Sequence, residues 1–213
     1  ETNFLNYNKL NSLQIYDHTV NHKNYIFRIL KVFRRLITFR RNIKQFNNEI
    51  AKYYNFLKFV NNKNVNFFPL KIVKHVLERR EINLDIIFSK IDQSINNIGL
   101  KIDIEGDEYN IIDGINSSSE KINFLIIEFH KIDKNKEIFF NSVKKLLEFF
   151  DIIHLHGNNH ELLLSDGFPK VVEISFVNKK NNLSYINFPT SFPLEGLDYP
   201  NNPLLPDIKI NFK

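Results

Sequence analysis

Four carboxylates crowd together near the middle of the chain, in the stretch Gly99 to Tyr109. Apolar and charged residues alternate up to a glycine, so in a strand Asp103 and Glu105 share the face opposite the apolar residues. Asp107 and Glu108 follow, where the first turn of a helix favours negative charge. The pattern predicts a strand, a turn and a helix, with acids at the carboxyl end of the strand. In open α/β sheets ligands bind at that edge.

Two later segments predict strands that end in histidines. Residues 124–130 form an apolar run that finishes on His130, and residues 151–160 include His154 and His156. If these strands are parallel to the first, their carboxyl ends meet at one rim of the sheet. Histidine titrates near neutral pH and is a natural general base, so we predict His130 or His156 as the base. For His154, which would lie deeper in the same strand, we expect a hydrogen-bonded structural role.

The sequence LKIDIEGDEYNIIDGI, residues 100–115, resembles the signature of FkbM-type S-adenosylmethionine-dependent methyltransferases. Two flanking elements occur in the matching order: Asn83-Leu84-Asp85 upstream, and the strand that ends on His130 downstream. The resemblance covers residues 82–178 well and residues 13–20 weakly. It implies methyl transfer from S-adenosylmethionine to an oxygen of a small-molecule, sugar or lipid acceptor.

The resemblance also implies roles for three acids. Asp103 and Glu105 are expected at the cofactor and in catalysis, where they could orient the base, hold the acceptor hydroxyl or approach the sulfonium. Asp17, at the end of a predicted strand over residues 13–20, is the candidate for the ribose hydroxyls. Alternatively, Asp17 caps the following helix.

The fold class that follows is α/β, with a Rossmann-like doubly wound methyltransferase sheet. We expect the sheet to be mostly parallel and to finish in an antiparallel hairpin of residues 161–164 and 171–177. The family resemblance implies a first strand with a glycine-rich turn, but only twelve residues precede Leu13 and the first glycine is Gly99. The chain also contains no Met. We therefore expect a C-terminal part of a longer protein, with the domain at residues 1–188 and an extended proline-rich tail at 189–213.

Residues 22–60 carry apolar residues at helical spacing together with many basic residues. Between Lys23 and Lys58 the only acid is Glu49. A basic helix can bind nucleic acid or an anionic membrane surface. We favour a crossover helix with a solvated basic side, since the net charge of +5 is small. A nucleic-acid methyltransferase that docks here, and a non-catalytic α/β binding module, remain the alternative functions.

A magnesium site is a further alternative. Asp103, Glu128 and Asn158 could supply oxygen ligands if their strands end side by side. The family is not marked by such a site, so we expect no metal. Helix capping and turn formation can account for Asp107 and Glu108 but leave Asp103 unexplained.

Composition excludes several other classes of protein. With 213 residues, 43% of them hydrophobic and 25% charged, the chain can bury a sizeable core. The absence of Cys excludes disulfides, thiolate catalysis and Cys-ligated metals. No apolar run is long enough to span a membrane, and no signal peptide is predicted. We expect a cytoplasmic protein that acts on a small molecule or a glycan rather than on nucleic acid.

Overall fold

A computed structural model shows an α/β protein whose internal contacts divide it into two units. The first unit comprises residues 1–72 and 76–82, and the second comprises residues 73–75 and 83–213. The domain limits expected from the sequence stay a prediction. The structure describes residues 12–38, 42–161, 163–181 and 189–211.

In its described residues, the first unit contains two long helices and two pairs of short parallel strands. Its elements are β1 (Leu13–Tyr16), α1 (His22–Ile37), α2 (Ile43–Val60), β2 (Val65–Phe68), β3 (Lys71–Ile72) and β4 (Glu81–Ile82). β1 pairs with β2, and β3 pairs with β4. The helical spacing of the basic segment therefore predicted α1 and α2 correctly. In the described part of the chain, no helix combines the length and the apolar character needed to cross a bilayer.

Asp17 forms a tight turn directly after β1. Its Oδ1 accepts hydrogen bonds from the backbone N–H of Thr19 (2.7 Å), the Thr19 hydroxyl (2.6 Å) and the N–H of Val20 (3.2 Å). The cap of α1 is Asn21, whose side chain accepts from the N–H of Asn24 at 2.9 Å. Helix capping was therefore the wrong alternative for Asp17, and ribose binding stays a prediction.

The second unit is built around a mixed sheet. Its elements are α3 (Leu84–Lys90), β5 (Ile98–Ile102), a 3₁₀ turn (Glu108–Asn110), α4 (Ile112–Ser117), β6 (Ile122–Phe129), α5 (Ile132–Leu146), β7 (Phe150–Gly157), β8 (Val172–Asn178), β9 (Ser191–Phe192) and β10 (Ile210–Asn211). Among the described residues, the main sheet has the strand order β5-β6-β8-β7. β5 and β6 are parallel, whereas β8 runs antiparallel to both of its neighbours.

One face of this sheet forms the core of the second unit. Leu125, Ile127 and Phe129 alternate along β6 and are fully buried, as are Ile174 and Phe176 of β8. Helix α5 packs against them, so that the rings of Phe129 and Phe139 meet edge to face at 5.2 Å. Glu128 of β6 and Glu173 of β8, which are register partners, lie on the opposite face.

The antiparallel partner of β8 differs from the expected one. Of the predicted strand 161–164, the described residues form no strand, and Leu163 makes only an isolated bridge with Pro169. β8 pairs with β6 and β7 instead. The reason is that nearly every residue of β8 is buried, so its backbone N–H and C=O groups need hydrogen-bond partners within the protein, which a strand on each side provides. The predicted hairpin of 161–164 with 171–177 was therefore wrong.

Side chains of β7, and that of Asn159 just after it, form hydrogen bonds with the C-terminal segment. His154 Nε2 lies 3.0 Å from Asp198 Oδ2, and His156 Nε2 lies 3.0 Å from Asp207 Oδ2. The buried side chain of Asn159 donates to the carbonyl oxygens of Asn202, Leu205 and Pro206. His154 thus has the hydrogen-bonded role expected for it.

Candidate functional site

Three of the predicted site residues meet where β5 and β6 end. Asp103 follows β5 directly, Glu105 lies two residues further on, and His130 follows β6 directly. Because β5 and β6 are parallel neighbours, their carboxyl ends lie side by side. His130 Nε2 is 3.8 Å from Asp103 Oδ1 and 3.7 Å from Glu105 Oε2. We refer to Asp103, Glu105 and His130 as the rim cluster.

Glu108 holds the imidazole of this cluster in place. It is fully buried, and its Oε1 lies 2.8 Å from His130 Nδ1. The same oxygen accepts the backbone N–H groups of Ile104 (3.2 Å) and Gly106 (3.0 Å). Burial by itself raises the pKa of Glu108, but the hydrogen bonds outweigh burial and leave that pKa below its usual value. Glu108 is therefore ionised at neutral pH and accepts the proton of Nδ1 as a hydrogen bond.

The surrounding carboxylates also set the protonation of His130. Burial by itself lowers the pKa of His130, but the hydrogen bond and charge of Glu108 outweigh it, helped by the charges of Glu128 and Glu105. The pKa of His130 consequently lies above its ordinary value of 6.5. In the neutral form the remaining proton stays on Nδ1, because Glu108 can only accept it. Nε2 then presents its lone pair towards the two exposed carboxylates.

This pairing predicts a titration that can be measured. In the folded protein, NMR titration of His130 should give a midpoint above 6.5, and Glu108→Gln should lower that midpoint because the largest stabilising charge is removed. Glu148→Gln, an exposed acid in the loop after α5, is the control and should leave the midpoint unchanged. A midpoint that is the same in the wild type and in Glu108→Gln would contradict the pairing.

The raised pKa of His130 also makes the free energy of unfolding depend on pH. Because folding raises the pKa of His130, its ionic pairing stabilises the fold fully below pH 6.5. That stabilisation is lost as the pH rises through the pKa of His130 in the folded protein.

The loops after β5 and β6 hold an unusual backbone conformation beside the cluster. Glu105 has a φ of 60° and Gly106 a φ of 111°, while Lys131, next to His130, has a φ of 55°. A left-handed non-glycine residue costs on the order of 1 kcal/mol, so surrounding contacts must hold it. One such contact joins the two loops, since Lys131 Nζ donates to the carbonyl oxygen of Glu105 at 2.8 Å.

Gly106→Ala should therefore lower the free energy of unfolding by about 1–2 kcal/mol. The added Cβ would face a disfavoured φ and come within 2.6 Å of Lys131 Nζ. Gly99→Ala, in β5, is the matched control, because no atom lies within 4 Å of its added Cβ. We expect it to change stability by no more than about 0.5 kcal/mol in urea unfolding followed by circular dichroism. Equal losses in the two variants would show that the turn does not restrict position 106.

Tyr109 ties the 3₁₀ turn to the end of β6. Its hydroxyl donates to the backbone carbonyl of His130 at 2.6 Å. Burial, together with the charges of Glu108 and Asp133, raises the pKa of Tyr109 well above its ordinary value. The hydroxyl therefore remains a neutral donor, and residues 108 and 109 fix both the ring and the backbone of His130.

His156 lies apart from the rim cluster. Glu128, Glu173 and His156 occupy matching register positions on β6, β8 and β7. Two strand spacings, roughly 10 Å, therefore separate His156 from β6. Its Nε2 is already bound to Asp207. A catalytic role for His156 stays a prediction, as does the binding of ribose by Asp17, which belongs to the first unit.

Two of the residues considered as magnesium ligands, Glu128 and Asn158, are hydrogen-bonded to each other. Asn158 Nδ2 donates to Glu128 Oε1 at 2.9 Å, and Asn158 Oδ1 accepts the N–H of His160 at 3.0 Å. Burial raises the pKa of Glu128, the hydrogen bond from Asn158 partly offsets this, and the charge of Asp103 raises it further. The rim cluster itself offers three ligand atoms within 4.8 Å of one another. Exposed acids often lie this close without an ion, and the absence of a metal stays a prediction.

Sequence reasoning missed the role of Glu108. It assigned this residue to turn formation or helix capping and did not predict its buried hydrogen bond with His130. A signal was present in the spacing. Glu108 precedes Ile111, Ile112 and Ile115 by three, four and seven residues, and these are buried. An acid on the apolar face of a helical segment needs a buried partner. The partners Asp198 and Asp207 of the β7 histidines gave no such local signal.

The match with known families agrees with this geometry. The family model of the methyltransferase FkbM domain matches residues 5–162, which is most of the chain. The matched segment contains the rim cluster, Glu108 and β7. No match was found among curated proteins or among solved structures. The chain therefore belongs to the FkbM methyltransferase domain family.

Proposed function

We propose that this methyltransferase domain transfers a methyl group from S-adenosylmethionine to an oxygen of a small-molecule, sugar or lipid acceptor. The observation that carries the proposal is the pair of Glu108 and His130. The buried carboxylate binds Nδ1 of the imidazole, and Nε2 faces two exposed carboxylates. Transfer to a hydroxyl requires a group that takes the hydroxyl proton, and a histidine oriented in this way is suited to that task.

The rim cluster is compatible with the charge of the proposed cofactor. When bound, S-adenosylmethionine supplies a methyl group attached to a positively charged sulfur. The side chains of Asp103 and Glu105 are 43% and 86% exposed, so a cationic ligand can reach both. These two carboxylates would attract the positively charged sulfur of the cofactor.

His130 would take the proton of the acceptor hydroxyl at Nε2. Glu108 keeps the other ring nitrogen protonated and stabilises the imidazolium that forms. The raised pKa makes His130 a stronger base but also keeps it protonated to higher pH. The rate should therefore increase with pH until the pH exceeds the pKa of His130, above 6.5. Asp103 and Glu105, which lie 3.8 and 3.7 Å from Nε2, would stabilise the imidazolium once it carries that proton.

The exposure of the Asp103 and Glu105 carboxylates supports a bulky acceptor. Among the described residues, two shallow cavities of about 310 and 260 Å³ lie beside α3, and both are lined by Asp85. Neither is lined by a residue of the rim cluster. A hydroxyl at the edge of a sugar or glycan can approach such an exposed rim without the whole molecule entering a pocket.

The connections of the second unit support a Rossmann-like doubly wound sheet as part of this proposal. Helix α4 joins the parallel strands β5 and β6, and α5 joins β6 to β7, which runs in the same direction. Strands that alternate with helices, with polar groups at their carboxyl ends, are typical of that class.

Calorimetric titration of S-adenosylmethionine tests the cofactor directly. The titration should be made with the 213-residue chain and with any longer form that its gene encodes. We expect binding at one site, weakened about tenfold by Asp103→Asn because a carboxylate beside the cation is lost. Asp151→Asn is the control, since its carboxylate is 46% exposed, close to the 43% of Asp103. Absence of binding heat in every form, or unchanged affinity in Asp103→Asn, would contradict the proposed site.

A further inference from the structure

Helix α1 exposes an apolar stripe. Ile26, Leu30, Phe33 and Ile37 recur every three or four residues and therefore lie on one face of the helix. Their side chains are 47%, 59%, 45% and 62% exposed. Large apolar side chains that are scattered singly need no explanation, but a continuous row of them indicates a contact surface.

The stripe adjoins the face by which α1 packs in its own unit, and it meets α2 at one residue, since the rings of Phe33 and Phe46 lie 5.6 Å apart. Tyr25, Ile29, Val32 and Leu36 form the adjoining face and are half-buried. The ring of Tyr25 stacks on that of Phe56 of α2, with ring centres 4.9 Å apart. Beyond Phe33 the stripe remains exposed, since Ile26, Leu30 and Ile37 are each at least 47% exposed.

Basic residues border the stripe. By helical geometry, Lys23 and Arg34 lie directly beside it, followed by Phe27 and Lys31. Phe27 is 67% exposed in the middle of this basic row. No acid occurs in the sequence of α1, which contains Lys23, Arg28, Lys31, Arg34 and Arg35.

We propose that α1 docks on the surface of a membrane that carries anionic headgroups. The helix would lie in the plane of the surface, with the stripe towards the acyl chains and the basic row among the phosphates. An amphipathic helix with bulky apolar residues on one side and Lys or Arg on the other has this property. The proposal does not depend on methyl transfer.

The positive charge beside the stripe favours an anionic lipid surface over a second copy of the chain, and the apolar stripe favours it over a nucleic acid. A second copy seated on the stripe would bring two basic rows together, and like charges oppose such a contact. A nucleic-acid backbone would satisfy the basic row but would leave Leu30 and Ile37 in water. An anionic bilayer complements the stripe and the basic row together.

Co-sedimentation of the 213-residue chain with vesicles tests this surface. We expect binding to phosphatidylcholine vesicles with about 30 mol% phosphatidylglycerol, and at least about tenfold weaker binding to phosphatidylcholine alone. Arg34→Gln and Lys31→Gln should each weaken binding about fivefold. The double variant Phe27→Asp/Leu30→Asp should abolish it.

Matched variants on α5 distinguish binding through α1 from nonspecific binding of the chain to vesicles. Phe140 is 55% exposed and Lys144 is also exposed, so Phe140→Asp and Lys144→Gln should leave vesicle binding unchanged. Thermal unfolding followed by circular dichroism should show the same transition for every variant, because each replaced residue is exposed. A large loss of stability in Phe27→Asp/Leu30→Asp would mean that the chain itself covers the stripe, and would overturn the proposal.

Three further results would also overturn it. The first is absence of binding to the anionic vesicles, and the second is equal binding to neutral ones. The third is a dimer in sedimentation equilibrium, or a salt-sensitive RNA complex, that Phe27→Asp/Leu30→Asp abolishes while vesicle binding persists.

Discussion

Replacing His130 with alanine is expected to lower the rate of methyl transfer by a factor of about 10²–10⁴. The reason is that His130 Nε2 is the basic nitrogen that faces the exposed carboxylates, and alanine removes it. Affinity for S-adenosylmethionine should remain nearly unchanged, because Asp103 and Glu105 are retained. Release of S-adenosylhomocysteine with a hydroxyl acceptor measures the rate, and calorimetry measures the affinity.

His156→Ala is the informative comparison for this variant. Its Nε2 is bound to Asp207, so its removal should weaken the attachment of the C-terminal segment more than the chemistry. An unchanged rate in His130→Ala, or a larger loss of rate in His156→Ala, would transfer the role of the base away from His130. A parallel loss of cofactor affinity in His130→Ala would indicate binding instead of proton transfer.

Glu108→Ala should lower the free energy of unfolding by about 3–5 kcal/mol. The substitution leaves the imidazole of His130 without its buried counter-charge and removes the acceptor for the N–H groups of Ile104 and Gly106. Glu105→Ala, three residues earlier, removes a side chain that is 86% exposed and should cost no more than about 0.5 kcal/mol. Urea unfolding at pH 7 compares the two variants.

Glu108→Gln removes the negative charge of residue 108 but keeps a side chain of nearly the same shape. Glutamine keeps an oxygen that can accept the two backbone N–H groups, so it should retain more stability than alanine. The pH dependence gives an independent check. Because folding lowers the pKa of Glu108, its pairing stabilises the fold above the ordinary pKa of 4.5, and this is lost as the pH falls through the lowered pKa. Losses of equal size for Glu105→Ala and Glu108→Ala would show that Glu108 is not the anchor of the site.

Local sequence patterns predicted the elements that carry the site. The alternation that ends at Gly106 predicted a strand with acids at its end, and β5 ends at Ile102, next to Asp103. The apolar run before His130 predicted β6. Short-range periodicity suffices in such cases because each face of the strand meets a different environment.

Helix α5 shows where local patterns stop being sufficient. Asp133 and Asn135 are residue types that favour the N-cap, which predicts a helix from about residue 136. The helix instead begins at Ile132 and is kinked at Asn135, which has a φ of −127°. The early start follows Lys131, whose left-handed backbone is held by a contact with Glu105 from another loop. A contact between segments that are distant in sequence leaves no trace in the local pattern.

The same limit applies to the partners of the histidines. Asp198 and Asp207 come from the C-terminal segment, and the order of the strands alone brings them to β7. The insertion of β8 between β6 and β7 is likewise decided by burial across the whole sheet. Periodicity within β8 could not indicate which strands would be its neighbours.

The central position of β8 has a consequence for the order of folding during synthesis. β7 leaves the ribosome before β8, but within this sheet it has no partner until β8 arrives. Closure requires pairs that are distant in sequence, such as Leu125 with Phe176, and such pairs form slowly because a long loop must be closed. Until residue 178 has been made, β6 and β7 present unpaired edges that other chains can join. β5 and β6 can pair earlier, so the half of the sheet that bears the rim cluster can form while the other half is still open.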